Sequence, residues 1–185
     1  MKKINKQLTI IAGPCSVDED NISELYEIAG IGGVYGTRVV GLKSRTALAE
    51  SGEGMGIDYH AYVKNMKTIM LGGRVQDLEI PPSVLLAEKI VHDTGMLVAT
   101  EIMEPAIQLP LYEGRIPKGK FMPWNPAVNQ LGWQVMQLAE YAQRNGWYVG
   151  LKNGKWLGNT EGETTMEKTW KGLSEYASKV NGKRV

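Results

Sequence analysis

Cysteine, phenylalanine and histidine are scarce in this chain of 185 residues, and neither sign of charge is in excess. The sequence contains one cysteine, one phenylalanine and two histidines. A single cysteine excludes an intramolecular disulfide framework and agrees with a reducing compartment. The 21 basic and 20 acidic residues give a formal net charge of +1, which argues against a surface that coats nucleic acid. Any site for an anion must therefore be local.

Long apolar runs are also missing. No stretch approaches the roughly 20 apolar residues of a membrane span, and the first five residues, MKKIN, lead into no secretory hydrophobic segment. We therefore expect a cytoplasmic protein with neither nucleic acid nor membrane among its partners. A chain of 185 residues is long enough to bury a core and fits a single domain, residues 1–185.

Apolar patterns of two periods alternate along the chain. Continuous apolar or β-branched runs predict strands at 8–12, 34–42, 96–101, 120–122 and 147–151. Helical spacing of apolar residues predicts helices at 22–29, 59–71, 81–92, 104–112, 131–142 and 166–180. Pro123 makes the fourth strand a poor one, and Pro110 is expected to shorten or kink the fourth helix. Because the connections are too long for hairpins, the alternation predicts an α/β fold with a parallel sheet and right-handed crossovers.

Cations and hydroxyls are concentrated where the second predicted strand ends. Arg38, Lys43 and Arg45 lie within eight residues of one another, and Thr46 follows them. The carboxyl ends of parallel strands are where such sheets place their chemistry. Arginine binds phosphate through two hydrogen bonds, whereas lysine acts as a point charge or a proton donor. The cluster therefore suits an anionic ligand, although charge alone fits a solvated strand end equally well.

Cys15 and Lys152 follow the first and fifth predicted strands and would lie at the same edge of the sheet. A cysteine at a strand end is a possible soft ligand for a metal ion. However, no second histidine, cysteine or carboxylate stands at ligand spacing from Cys15. Spacing alone therefore favours the other interpretation, in which this lone cysteine is a small buried apolar residue.

Three short motifs occupy these strand ends: IIAGPCS at 10–16, Arg38 followed by KSRT at 43–46, and GLKNG at 150–154. In order, strand placement and approximate separation they resemble the class I family of 3-deoxy-D-arabino-heptulosonate-7-phosphate (DAHP) synthase and 3-deoxy-octulosonate-8-phosphate synthase. The resemblance spans roughly residues 8–180 and implies a TIM (β/α)8 barrel. The chain would supply about five parallel β/α units of it, as a single truncated barrel domain.

The resemblance implies a transferase of the shikimate pathway, which leads to the aromatic amino acids. It would condense phosphoenolpyruvate with an aldose phosphate, erythrose 4-phosphate in DAHP synthase, to give a 3-deoxy-2-ketoaldonate phosphate. Arg38, Lys43 and Lys152 match residues that hold phosphoenolpyruvate, and Lys43 is expected to be catalytic. Arg45 and Thr46 match residues that hold the aldose phosphate. Cys15 matches a ligand of a divalent metal, which would be Mn, Fe, Co or Zn.

Departures from the family pattern leave other interpretations open. Ser44 replaces a proline, and Trp124–Ala127 (WNPA) stands where the family has a Gly-Ala-Arg strand end. The strands that carry the family's other metal ligands have no counterpart. The chain would then be a phosphate-binding family member without turnover, or a fragment that needs a partner chain. Because a barrel segment has two unpaired edges, we also expect a homo-oligomer or a completing chain.

Overall fold

The architecture is an α/β fold, which a computed structural model describes for residues 10–14, 16–42, 55–125 and 132–150. Within these described ranges, it contains a four-stranded parallel sheet and five α-helices. In chain order, the elements are β1 (Ile10–Ala12), α1 (Ile22–Ala29), β2 (Val34–Arg38), α2 (Tyr59–Met70), a short 3₁₀ helix (Val75–Asp77), α3 (Pro82–Thr94), β3 (Leu97–Glu101), α4 (Pro105–Tyr112), β4 (Phe121–Trp124) and α5 (Gly132–Asn145). The strand order is β1-β2-β3-β4. The predicted α/β class and parallel sheet are thus confirmed.

The chain divides into two compact units, residues 1–99 and 100–185, and β3 crosses the boundary between them. In the first unit, Gly36 of the middle strand is opposite Ile11 of β1 and Leu97 of β3. A Cβ atom on Gly36 would lie 2.6 Å from the carbonyl oxygen of Leu97. Only glycine therefore allows β2 to pair this closely with β3.

The core of the first unit consists of aliphatic side chains from the sheet and from the helices α1 and α3. Eight aliphatic side chains of the described part of this unit are at most 2% exposed: Val17, Leu25, Val39, Val84, Ala87, Ile90, Val98 and Ala99. The left-handed Gly95, with φ of 68°, ends α3 and lets the chain turn into β3. This packing fixes β2, which ends at Arg38 and not at residue 42 as predicted. It ends there because the carbonyl groups of Val40 and Gly41 accept hydrogen bonds from Val17 and Asp58 instead of from a strand.

The second unit has a core of aromatic side chains. Phe121 is fully buried, and its ring stacks on Tyr112 with the ring centroids 4.5 Å apart. The ring of Trp147 meets Phe121 edge-on at 4.9 Å, and its indole N–H donates to the carbonyl oxygen of Ile116 at 3.2 Å. α4 ends at Tyr112, where the sequence predicts, although Pro110 lies inside its last turn.

Two strands of the second unit differ from their predicted ranges. β4 extends to Trp124 and includes Pro123, because the carbonyl oxygen of this proline accepts a hydrogen bond from the N–H group of Gly150 at 2.9 Å. The ladder loses one donor at the proline but is not broken. The predicted fifth strand is reduced to a parallel bridge between Trp124 and Gly150. Leu151 and the predicted helix over 166–180 lie outside the described residues. Within the described part of the chain, no helix is long and apolar enough to cross a membrane.

Replacing Thr37 with valine is expected to stabilise the first unit by about 1 kcal/mol. Thr37 of β2 is fully buried, and its hydroxyl oxygen has no hydrogen-bond partner among the described residues. A methyl group of similar shape removes the cost of desolvating that hydroxyl. Urea unfolding measures the change, with Thr37→Ser as the control, because serine keeps the hydroxyl and loses the methyl group. A valine variant less stable than the wild type would contradict the expectation.

Candidate functional site

The carboxyl end of β2 is the place to which the sequence assigns the anion site, and Arg38 is the last residue of that strand. Its side chain is half-buried, and its backbone pairs with Ala99 of β3. Arg38 is the one predicted site residue within the described part of the chain. The others lie outside the described residues: Cys15, Lys43, Arg45, Thr46 and Lys152. Their convergence with Arg38 stays a prediction.

Gly13, directly after β1, lies against the backbone of Arg38. A Cβ atom on Gly13 would be 2.7 Å from the backbone nitrogen of Arg38 and 2.8 Å from its Cβ atom. Cβ atoms do not approach other atoms this closely, so the position requires glycine. Gly13 of the first motif therefore meets the arginine of the second motif at the ends of two neighbouring strands.

Backbone hydrogen bonds fix the chain where it continues beyond Arg38. The N–H group of Val17 donates to the carbonyl oxygen of Val40 at 2.7 Å. The N–H group of Asp58 donates to the carbonyl oxygen of Gly41 at 2.9 Å. The segment after β1 and the segment before α2 are therefore both hydrogen-bonded to residues 39–42, which we call the extension of β2. These bonds give this edge of the sheet a fixed backbone frame.

Asp58 and Ser83 form a polar pair beside this frame that sequence reasoning missed. Asp58 directly precedes α2, but its carboxylate reaches the start of α3, where it accepts hydrogen bonds from the N–H group of Ser83 at 2.8 Å and from the Ser83 hydroxyl. A carboxylate is favoured at a helix N-terminus because unpaired N–H groups and the helix dipole face it. Two features of the sequence could have indicated this pair: an aspartate directly before one predicted helix, and the residues Pro-Pro-Ser at the start of the next.

Replacing Asp58 with asparagine is expected to flatten the pH dependence of stability. Burial raises the pKa of the Asp58 carboxyl above its ordinary 3.8, and the hydrogen bonds from Ser83 oppose this only in part. The folded state therefore binds the proton more tightly than the unfolded state does. Protonation stabilises the fold below the ordinary pKa, and this contribution is lost as the pH rises through the raised pKa.

Urea unfolding of the wild type and Asp58→Asn from below about pH 4 to neutral pH measures this effect. The free energy of unfolding of the wild type, relative to that of the variant, should fall as the pH rises. A difference that stays constant across the range would contradict the raised pKa.

The carboxyl ends of β3 and β4 carry a different polar cluster, which belongs to the second unit. The side-chain oxygen of Gln108 accepts hydrogen bonds from the N–H groups of Met103 and Glu104, at 2.7 and 2.8 Å. The amide of Gln134, only 7% exposed, donates to the Glu104 carboxylate at 2.9 Å. Asn125 after β4 is fully buried. These hydrogen bonds join Glu104 to the side-chain amides of Gln108 and Gln134.

The described residues do not supply a binding set for the metal that the resemblance implies. In residues 10–14, 16–42, 55–125 and 132–150, no three side chains of His, Cys, Asp or Glu converge closely enough to hold an ion. Cys15 lies outside these ranges. The metal therefore stays a prediction that depends on the resemblance alone.

The chain thus belongs to the class of α/β proteins with a parallel sheet. At the carboxyl ends of β1 and β2, Gly13 lies against Arg38. Comparison of the sequence with models of known protein families gives no match, and a search of curated proteins gives none either.

Proposed function

We propose that the chain binds phosphoenolpyruvate at the carboxyl end of β2 and condenses it with an aldose phosphate, in the manner of DAHP synthase. The observation that carries this proposal is the contact of Gly13 with the backbone of Arg38. It brings together two motifs on which the resemblance depends and whose residues Gly13 and Arg38 are 25 positions apart in the sequence. The order of strands supports a partial (β/α)8 barrel as the parent architecture.

Arg38 would neutralise and orient the phosphoenolpyruvate anion, because a guanidinium offers paired donors to a phosphate or a carboxylate. By the resemblance, Lys43 and Lys152 would add charge on the same substrate, and Lys43 would be catalytic. Arg45 and Thr46 would hold the phosphate of the aldose. Fixed cations of this kind accelerate a reaction by setting the substrate geometry before the chemical step.

In the proposed reaction, the enol carbon of phosphoenolpyruvate attacks the aldehyde carbon of the aldose and forms a carbon–carbon bond. The π electrons of the aldehyde C=O move to its oxygen, which takes a proton. Water adds at C2 and loses its protons, and the bond between C2 and the phosphate oxygen breaks, which leaves a ketone at C2 and inorganic phosphate. The resemblance assigns Cys15 to a divalent metal, Mn, Fe, Co or Zn. Because the described side chains do not form a set for such an ion, no step of the reaction is assigned to it.

A second candidate is a protein that binds a phosphorylated ligand without turning it over. The environment of Asn125 favours it. The family pattern has an arginine in this strand-end stretch, whereas Asn125 is fully buried and its backbone N–H group donates to the carbonyl oxygen of Gly150 at 3.4 Å. The second unit also has the Glu104 carboxylate, which accepts from Gln134 and carries a charge of the same sign as a phosphate. The second unit therefore supplies less positive charge at this position than the condensation uses in the family.

Release of inorganic phosphate from phosphoenolpyruvate tests the proposed reaction. We expect release only when erythrose 4-phosphate or a five-carbon aldose phosphate is also present, with each of Mn²⁺, Fe²⁺, Co²⁺ and Zn²⁺ supplied in turn. Absence of release with every metal and both sugars would overturn the condensation. Phosphoenolpyruvate binding that survives a chelator would then support the second candidate. Sedimentation velocity would show whether the chain forms a homo-oligomer, which stays a prediction.

A further inference from the structure

Residues 41–42, which follow β2, lie against residues 55–58, which precede α2. We call these two segments together the neck. Gly56 has φ of 91°, and a Cβ atom on it would collide with the carbonyl oxygen of Gly41. Met55 is 3% exposed, and the N–H group of Ile57 donates to the carbonyl oxygen of Val17 at 2.9 Å. Both sides of the neck are therefore packed against each other and against the segment that follows β1.

The Asp58 carboxylate fills the centre of the neck. A Cβ atom on Gly41 would overlap this carboxylate, so the glycine leaves the space that Asp58 occupies. Its two hydrogen bonds from Ser83, which is 2% exposed, join the neck to the first turn of α3. One side chain thus connects the extension of β2 with the starts of two helices.

Burial of the Asp58 carboxyl has a cost for its charged form. Burial raises the pKa of Asp58, so the charged form is less stable in the folded chain than in water. Titratable groups that are held at such a cost occur preferentially at functional sites. Asp58 lies against Gly41, three residues beyond Arg38, which agrees with this tendency.

We propose that Asp58 is a positioning residue for the phosphoenolpyruvate site, acting through the neck. It fixes the backbone at Gly41 and thereby the strand end on which Arg38 stands. This inference rests on the proposed function, because it concerns the affinity of the same site. Small displacements of a binding group reduce ligand affinity or rate steeply, so a loosened neck should weaken binding even where the chain stays folded.

Asn65→Ala is a matched control for Asp58→Ala. Asn65 of α2 is 7% exposed and exchanges two hydrogen bonds with the backbone of Glu79, both at 2.8 Å. Each substitution thus removes two hydrogen bonds that an α2-side residue makes with the segment around the start of α3. Asp58 is part of the neck, whereas Asn65 is not. A merely structural role would therefore give both variants the same effect on ligand binding.

The experiment combines titration calorimetry with phosphoenolpyruvate and amide hydrogen exchange on the full chain. Asp58→Ala is expected to weaken phosphoenolpyruvate binding by about tenfold and to speed exchange in the neck, whereas Asn65→Ala should keep the wild-type affinity within about twofold. If Asp58→Ala does not fold, Ser83→Ala, which removes the hydroxyl and keeps the backbone donor, should give about a threefold loss of affinity.

Two results would overturn the positioning role while the proposed function stands. One is unchanged neck exchange in Asp58→Ala, and the other is equal loss of affinity in Asp58→Ala and Asn65→Ala. A wild-type chain that does not bind phosphoenolpyruvate would overturn the proposed function and the positioning role together. The exchange measurement needs no ligand, so it still decides whether Asp58 holds the neck.

Discussion

Arg38→Ala is expected to weaken phosphoenolpyruvate binding by about 30-fold, which corresponds to about 2 kcal/mol. Arg38 ends β2 at the edge where Gly13 closes onto it, so its position is set by the backbone of two strands. Removal of the guanidinium removes charge-assisted hydrogen bonds, which are the strongest that a phosphate or carboxylate receives from a protein. Arg38→Lys keeps the charge but not the paired donors, and a smaller loss of affinity is expected.

Titration calorimetry of the wild type and both variants measures this effect, with Arg74→Ala as the control. Arg74 belongs to the same unit, its side chain is 73% exposed, and it makes a surface ion pair with Asp77. Its loss removes the same charge from the chain without touching the strand end. Equal affinities of Arg38→Ala and the wild type would exclude Arg38 from the site, and equal losses in the two arginine variants would indicate a general charge effect.

Gly13→Ala is expected to destabilise the first unit by about 3 kcal/mol and to abolish phosphoenolpyruvate binding. The added Cβ atom would lie 2.7 Å from the backbone nitrogen of Arg38. The neighbour is backbone rather than a flexible side chain, so β1 and β2 must separate or shift to accept a methyl group. Such a shift displaces Arg38 itself, which is why one small substitution should affect both stability and binding.

Gly32→Ala is the matched control for Gly13→Ala. Gly32 lies in the turn before β2, and a Cβ atom there would meet nothing within 4 Å. The control should therefore keep the stability and affinity of the wild type. Urea unfolding and calorimetry on both variants make the comparison. If the Gly13→Ala variant were as stable as the Gly32→Ala variant, Gly13 would not be in close contact with the backbone of Arg38.

The alternation of strands and helices was predictable because burial in a parallel sheet imposes continuous apolar runs, whereas surface helices impose a period near 3.6. The start of α2 at Tyr59 and the end of α4 at Tyr112 agree with the predicted bounds. The range of β4 was wrong, because a proline was expected to end it and its carbonyl oxygen still accepts from Gly150. The strand propensity of a residue does not specify which backbone groups it will pair with.

The site was predictable in part and for a different reason. The sequence predicts Arg38 inside a second strand that runs to residue 42, whereas β2 ends at Arg38. The contact of Gly13 with Arg38 depends on strand register, which no short motif specifies. The pair of Asp58 and Ser83 joins residues 25 positions apart. An aspartate before a helix predicts a cap of that helix, whereas this one caps the next helix instead.

Titration of phosphoenolpyruvate into the wild-type chain, in the presence of a chelator and with inorganic phosphate as a competitor, tests the central claim most directly. We expect saturable binding to one site, competition by phosphate, and loss of that binding in Arg38→Ala. Absence of binding, or binding that Arg38→Ala leaves unchanged, would contradict a phosphoenolpyruvate site at the carboxyl end of β2.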